Sequence, residues 1–188
     1  MHVHLTTERM VLRRFTVDDL DLLVELDGDP AVKRYIDGGL PVDRAETEEM
    51  LDWWLGYYTR GDAYGFWAAI DRSSDEFLGW FHLRPDEGDA PDEPELGYRL
   101  RRSAWGRGLA TEGSRALIDT AFGELGAVRV HASTMTVNTG SRRVMEKAGL
   151  RFVRSFHLEW PVRVPGDEEG DVEYALTREQ WLSDRGER

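Results

Sequence analysis

The sequence contains no cysteine. That excludes disulfides, thiolate nucleophiles and cysteine-ligated zinc. It equally excludes an acyl-cysteine intermediate in a group-transfer reaction. Long hydrophobic runs are missing too, with nothing approaching the ~18 apolar residues of a membrane helix. The N-terminus, "MHVHLTTERMVLRRF", lacks the apolar core of a secretory signal. These features point to a cytoplasmic location. Positive charge is scarce: 24 Lys and Arg stand against 36 Asp and Glu, a formal net charge of -12. This balance argues against general affinity for nucleic acid or an anionic membrane surface. It suits a cationic partner such as an amine, or it serves solubility alone. The lysine and spacing of a P-loop are absent, and so is the full G-x-G-x-x-G dinucleotide pattern.

What is present describes a globular chain. Its 188 residues are 40% hydrophobic and 32% charged, which fits one domain over 1–188, with a core from about residue 6 to 178. "MVLRRF" (10–15) alternates as a strand, and helical sequence follows from Thr16 until Asp29-Pro30 interrupts it. A second helix is predicted over 43–60, with Ala45, Met50, Leu51, Trp54 and Tyr58 as its buried stripe. Its aromatic group "WWLGYY" reads as core or as a cleft wall. Residues 64–71, 77–84 and 95–101 then read as strands, the first two as a hairpin. The acidic 85–95 segment reads as a solvated loop. Helix 110–125, strand 128–135, a helix from Asn138 to Ala148-Gly149, and strands 150–160 and 171–176 complete one mixed α/β domain.

The segment "SAWGRGLATEG" (103–113) sets glycines and an arginine at the mouth of a helix. A helix start presents free N–H groups and partial positive charge, and so attracts anions. Gly106 and Gly108 let the backbone approach a phosphate closely, while Arg107 and Thr111 add donors. A plain strand-to-helix turn would use the same glycines for geometry alone. Downstream, "VNTGSRRVMEKAGL" (137–150) starts a second helix after a strand. Asn138 is placed to cap that helix, and Ser141 lies near the same end.

The landmarks "TTERMVLRRFTVDDLDLL", "ELGYRL", "WGRGLATEG" and "NTGSRRVMEKAGLRF" occur in this order over roughly residues 6–160. In them the chain resembles the GCN5-related N-acetyltransferases (GNAT), in the RimJ/RimL-like ribosomal-protein-acetyltransferase branch. The resemblance implies a GNAT fold: a central, mostly antiparallel sheet flanked by helices, whose middle strands splay to admit the pantetheine arm of acetyl-CoA. It implies that Leu100 lies on the strand pairing with that arm. Arg107, Gly108, Leu109, Ala110 and Thr111 would form the pyrophosphate loop, and Asn138 and Arg143 would contact the cofactor from the second helix. Trp105 stands where the wider family often has Arg or Gln, which leaves the phosphate contact there to backbone amides.

The implied activity is acetyl-CoA-dependent acetyl transfer to a primary amine, directly within a ternary complex. A small-molecule amine is favoured slightly over a protein N-terminus, and the other class of reading is a noncatalytic acyl-CoA-binding or regulatory module. An amine of pKa ~10 is mostly protonated at neutral pH, so a carboxylate is wanted as base. Glu95 is the first candidate and Glu159 the second. The wider family often uses a tyrosine as the acid after the second helix starts, but no tyrosine lies between Tyr98 and Tyr174. The resemblance to the RimJ/RimL-like branch implies Ser141 in that place, stabilising the departing thiolate, unless it simply bonds backbone. His2, His4, His82, His131 and His157 form no constellation with a spaced carboxylate, and no metal is expected. The acidic 85–95 loop and the 161–170 segment are candidates to frame a cationic acceptor. A homodimer is compatible with the sequence.

Overall fold

The computed structural model describes residues 2–61, 63–86, 88–159 and 162–186. In chain order the strands are β1 (Val3–Thr6), β2 (Met10–Arg14), β3 (Gly65–Asp71), β4 (Phe77–Arg84), β5 (Glu95–Leu100), β6 (Arg129–Met135), β7 (Arg151–Phe156) and β8 (Asp171–Thr177). The helices are α1 (Leu20–Asp27), α2 (Pro30–Lys33), α3 (Arg44–Tyr57), α4 (Leu109–Gly123), α5 (Thr139–Ala148) and α6 (Arg178–Gly186).

The strands form one sheet in the order β1-β2-β3-β4-β5-β6-β8-β7. Every neighbouring pair is antiparallel except β5 and β6, which run parallel. β3 and β4 are buried on both faces, which explains their near-continuous apolar sequence. One face carries α4 and α5 over a core that includes Phe81, Leu96, Leu109, Leu117, Phe122 and Met145. The opposite face carries α1 and α3, where Trp54 stacks on Phe66 with centroids 4.5 Å apart.

The element order matches the sequence expectation, and four local readings change. Asp29-Pro30 starts a short helix as well as ending one: Asp29 accepts a hydrogen bond from the Ala31 N–H at 2.9 Å, and Pro30 occupies the first helical position. In α3 the buried stripe is Thr47, Leu51, Trp54 and Tyr57, with Ala45 exposed. Tyr58 instead reaches across to β3, its hydroxyl donating to the Phe66 carbonyl at 2.5 Å. The "WWLGYY" group is thus mainly core, with Trp53 half exposed. Third, β7 ends at Phe156; Trp160 and Pro161 lie outside the described residues. Finally, β1 and α6 add pieces at either end of the expected core.

The β5–β6 pair positions the site. It has a single register partner, Glu95 with His131, and the His131 N–H donates to the Pro94 carbonyl at 3.2 Å. Beyond that point the two strands diverge.

Candidate active site

A cleft of about 790 Å³ opens where β5 and β6 part. β5 forms one wall, residues 133–135 of β6 and the start of α5 form the other, and residues 104–106 and 108–111 close one end. Arg34, Tyr35 and Ile36, following α2, also line the cleft, as do Trp80 and His82 of β4.

The β4–β5 register determines which groups of β5 reach the cleft. The Arg101 N–H donates to the Leu78 carbonyl at 2.9 Å, and Arg99, Gly97 and Glu95 stand opposite Trp80, His82 and Arg84. In an antiparallel ladder, hydrogen-bonded pairs alternate with non-bonded ones. The backbone groups of Tyr98 and Leu100 therefore aim away from β4, into the gap. The Leu100 carbonyl already accepts a hydrogen bond from the Trp105 indole at 2.7 Å. Trp105, 48% exposed and lining the cleft, thus ties down the end of β5. That leaves the Leu100 N–H and both Tyr98 groups as a free strand edge, suited to an amide-bearing arm.

Residues 102–104 make a 3-10 turn, and Gly108 caps α4 in the left-handed region, with φ of 79°. That conformation costs any residue with a Cβ and comes freely to glycine. Gly106, Gly108, Leu109, Ala110 and Thr111 all line the cleft, so the N–H groups of the first α4 turn face it. Arg107 does not line it. Its side chain turns outward to Asp71, with Nη2 3.5 Å from Oδ2, and its carbonyl accepts from Arg9 Nη1 at 2.8 Å. Arg9 also binds Glu112 through Nε at 2.6 Å, which fixes the start of α4 against the β1–β2 turn. The Arg107 side chain, expected as a charged donor to the cofactor, is thus engaged with Asp71 in this structure, 48% exposed and outside the cleft lining.

α5 supplies the other wall. The Asn138 side chain accepts from the Ser141 N–H at 3.2 Å and donates to the Thr134 hydroxyl at 3.1 Å, so its amide is occupied as a cap. Arg143 lines the cleft as expected, and so does Lys147, one turn further along the helix. Lys147 was missed by sequence reasoning, although its i+4 spacing from Arg143 is a readable signal. Ser141 meets a partner from across the gap: its Oγ lies 2.9 Å from the Tyr98 hydroxyl. Burial pushes the Tyr98 phenol up to about 12 despite that contact. Tyr98 therefore stays protonated over the working range and keeps a proton to donate.

On the opposite face of β5, Glu95 and His82 both line the cleft. Glu95 Oε2 lies 3.4 Å from His82 Nε2 and 4.0 Å from Arg84 Nη2. Burial opposes the Glu95 charge, but the His82 contact and the Arg84 guanidinium outweigh it, holding the carboxyl below its ordinary value. Glu159 is exposed and does not line the cleft; its neighbour Leu158 does. β7 ends before it, so the expected strand never carries Glu159 to the site.

Of the acidic 85–95 segment and the 161–170 segment, Glu95 alone among the described residues lines the cleft. Asp86 pairs with Arg84 at 2.8 Å, Asp89 with His131 at 2.9 Å and Glu93 with Arg129 at 3.4 Å. No described residue of 85–94 or 162–170 lines the cleft. Two histidines without a spaced carboxylate in sequence, His82 and His131, thus find one through the fold.

Residues 9–151 match the model of the acetyltransferase (GNAT) domain family. The chain belongs to the GNAT acetyltransferases. This GNAT protein is 34% identical over 184 residues to the FsC-acetyl coenzyme A-N(2)-transacetylase of Aspergillus fumigatus, covering 95% of this chain and 77% of that one. Its fold is similar to a GNAT-family acetyltransferase from Bacillus anthracis, with a TM-score of 0.74, 23% identity and coverage of 95% and 99%. It is also similar to RimL, a ribosomal-protein alpha-N-acetyltransferase in complex with coenzyme A, with a TM-score of 0.77, 16% identity and the same coverage. As a GNAT N-acetyltransferase it takes its acetyl group from acetyl-CoA. The free β5 edge, the N–H-lined start of α4 and the cationic face of α5 fit the amides and phosphates of that donor. Among the described residues, no helix is long and apolar enough to cross a membrane.

Proposed function

We propose that this N-acetyltransferase acetylates the primary amine of a small molecule, with Glu95 as the base and the Tyr98–Ser141 pair facing the departing sulfur. The observation that carries the reading is the placement of these groups on opposite faces of β5, within one cleft. Bound acetyl-CoA supplies an activated acyl group; the chain supplies position, charge and proton traffic.

The β5 edge and the α4 start hold the donor along the gap, so that amine and acyl carbon meet at the splay. Such positioning accounts for much of the acceleration in a direct transfer. Glu95 is a carboxylate at neutral pH and takes a proton from the incoming ammonium, directly or through a water. A thiol of pKa ~8.5 leaves readily as the thiolate, so the sulfur needs a hydrogen-bond donor more than a full proton. Tyr98, protonated and steadied by Ser141, suits that task. A small acceptor is favoured because the Aspergillus relative is named for transfer to an N(2) position.

Thermal unfolding with acetyl-CoA, CoA or ATP tests the donor site. At a hundredfold excess over its dissociation constant a ligand stabilises by about 2.7 kcal/mol. Stabilisation by both CoA species and not by ATP is expected. A panel of small amines and short peptides, followed by thiol release, then tests the acceptor. Turnover confined to peptide N-termini would overturn the small-molecule reading. Glu95→Gln should lower kcat by about a hundredfold or more while leaving acetyl-CoA affinity in place; full activity would remove Glu95 as the base.

A further inference from the structure

His82 is costly where it sits. Both ring nitrogens are buried and neither makes a hydrogen bond within good geometry; an apolar ring would fill the space without leaving polar atoms unsatisfied. The fold nevertheless makes room for it. On β5, a Cβ at Gly97 would stand only 2.6 Å from His82 Cε1 and Nε2. Glycine at that position lets the imidazole lie flat across the strand. Trp80 stacks on the ring at 5.8 Å and Phe66 meets it edge-on at 5.4 Å. Held on these sides, the ring turns Nε2 toward Glu95 Oε2 at 3.4 Å.

We infer that His82 is a positioning residue for acetyl transfer, fixing the Glu95 carboxylate toward the acceptor and sharing the proton that Glu95 removes. The inference rests on the proposed role of Glu95 as base. The proton balance is simple. One N–H bond of the ammonium breaks before attack, and its proton passes to Glu95 Oε2 and on to His82 Nε2. The pair then holds it as carboxylate and imidazolium until solvent takes it. After the C–N bond forms and the C–S bond breaks, the second proton lost from nitrogen neutralises the departing thiolate. A carboxylate alone, with its affinity for protons depressed, is poorly matched to an amine, whereas an imidazole beside a carboxylate is better matched near neutral pH. The other charges facing the pair are Arg84, 4.0 Å from the same oxygen, and Asp86 in the loop after β4, which opposes the Glu95 charge.

His82→Phe keeps a ring across Gly97 and removes both nitrogens. Two readouts decide the matter in the full-length protein. Carbon-13 titration of the Glu95 carboxyl, without substrates, should move to higher pH in His82→Phe. With acetyl-CoA and the best amine, kcat should fall about ten- to a hundredfold while KM for acetyl-CoA stays within twofold. His82→Gln, which keeps a donor but cannot relay a proton, should fall between. An unmoved Glu95 titration overturns the inference, and so does a moved titration with unchanged kcat. If wild type turns over no amine, the function reading fails, while the titration still reports the coupling. If His82→Phe does not fold, His82→Gln decides: the Glu95 carboxyl should again titrate at higher pH than in the wild type, and an unmoved titration overturns the proposal.

Discussion

Removal of Asp27 tests how β5 is held against α1. Asp27 ends α1, and Arg99 projects from β5 between the site and that helix. Arg99 Nη1 donates to both Asp27 carboxylate oxygens, at 2.7 and 2.6 Å. The side chains are only 16% and 9% exposed, and the guanidinium also lies 5.1 Å from the Trp80 ring centroid. Asp27→Ala leaves the buried cation without its counter-charge. Removing one partner from a buried pair costs about 3–5 kcal/mol. Retained contact with Trp80 and residual hydration of Arg99 place the expected loss near the lower end, about 3 kcal/mol. For a chain of this size that is a fall of about 6–12 °C in Tm. Urea unfolding at constant m-value measures it directly. Asp27→Leu with Arg99→Met removes both charges and should recover part of the loss, because the stranded cation carries much of the penalty. A cost below about 1 kcal/mol for Asp27→Ala, or a double variant as unstable as the two single changes summed, would refute the argument.

Three further changes probe other parts of the molecule. Gly108→Glu puts a Cβ at a φ of 79° and a negative charge beside the α4 start; acetyl-CoA should bind at least about tenfold more weakly, and equal affinity by calorimetry would dismiss the loop assignment. Trp105→Phe removes the donor to the Leu100 carbonyl, costing about 1 kcal/mol and raising KM for acetyl-CoA; no change in either measurement would make the indole contact incidental. His4 stacks on Trp67 at 3.9 Å, and burial, then the nearby charges of His2 and Arg14, push it down to about 4 from 6.5. Because the unfolded chain binds this proton where the folded one does not, stability should rise with pH from about 4 to 6.5. In His4→Phe, chemical unfolding across that window should show a shallower rise, and an unchanged slope would count against the burial argument.

Much of the framework could be read from patterning. The change from helical to alternating period at residue 64, the caps at Asn138 and Gly149, and the acidic turn before β5 all specify local conformation, and the fold uses them as such. The Asp29-Pro30 helix start was also legible, since aspartate before proline is an N-cap signature as well as a stop. What escaped depends on register. Tyr98 finds Ser141 across the gap, and His82 finds Glu95 across two strands; neither sequence separation carries a motif. Arg107 and Glu159 illustrate the reverse case. Their positions suited the chemistry, but a competing ion pair with Asp71 turned one outward, and the early end of β7 left the other in solvent.

The single bridge between β5 and β6 has a mechanical meaning. A continuous sheet transmits force through a ladder of backbone bonds; here that ladder is interrupted, and β1–β5 and β6–β8 meet at a seam closed chiefly by side chains and helix packing. A donor whose amides bond along the β5 edge adds the missing rungs on that side. The donor is then a structural member as well as a reagent: while it sits in the seam the halves are braced, and when it leaves as the thiol the joint is free to loosen.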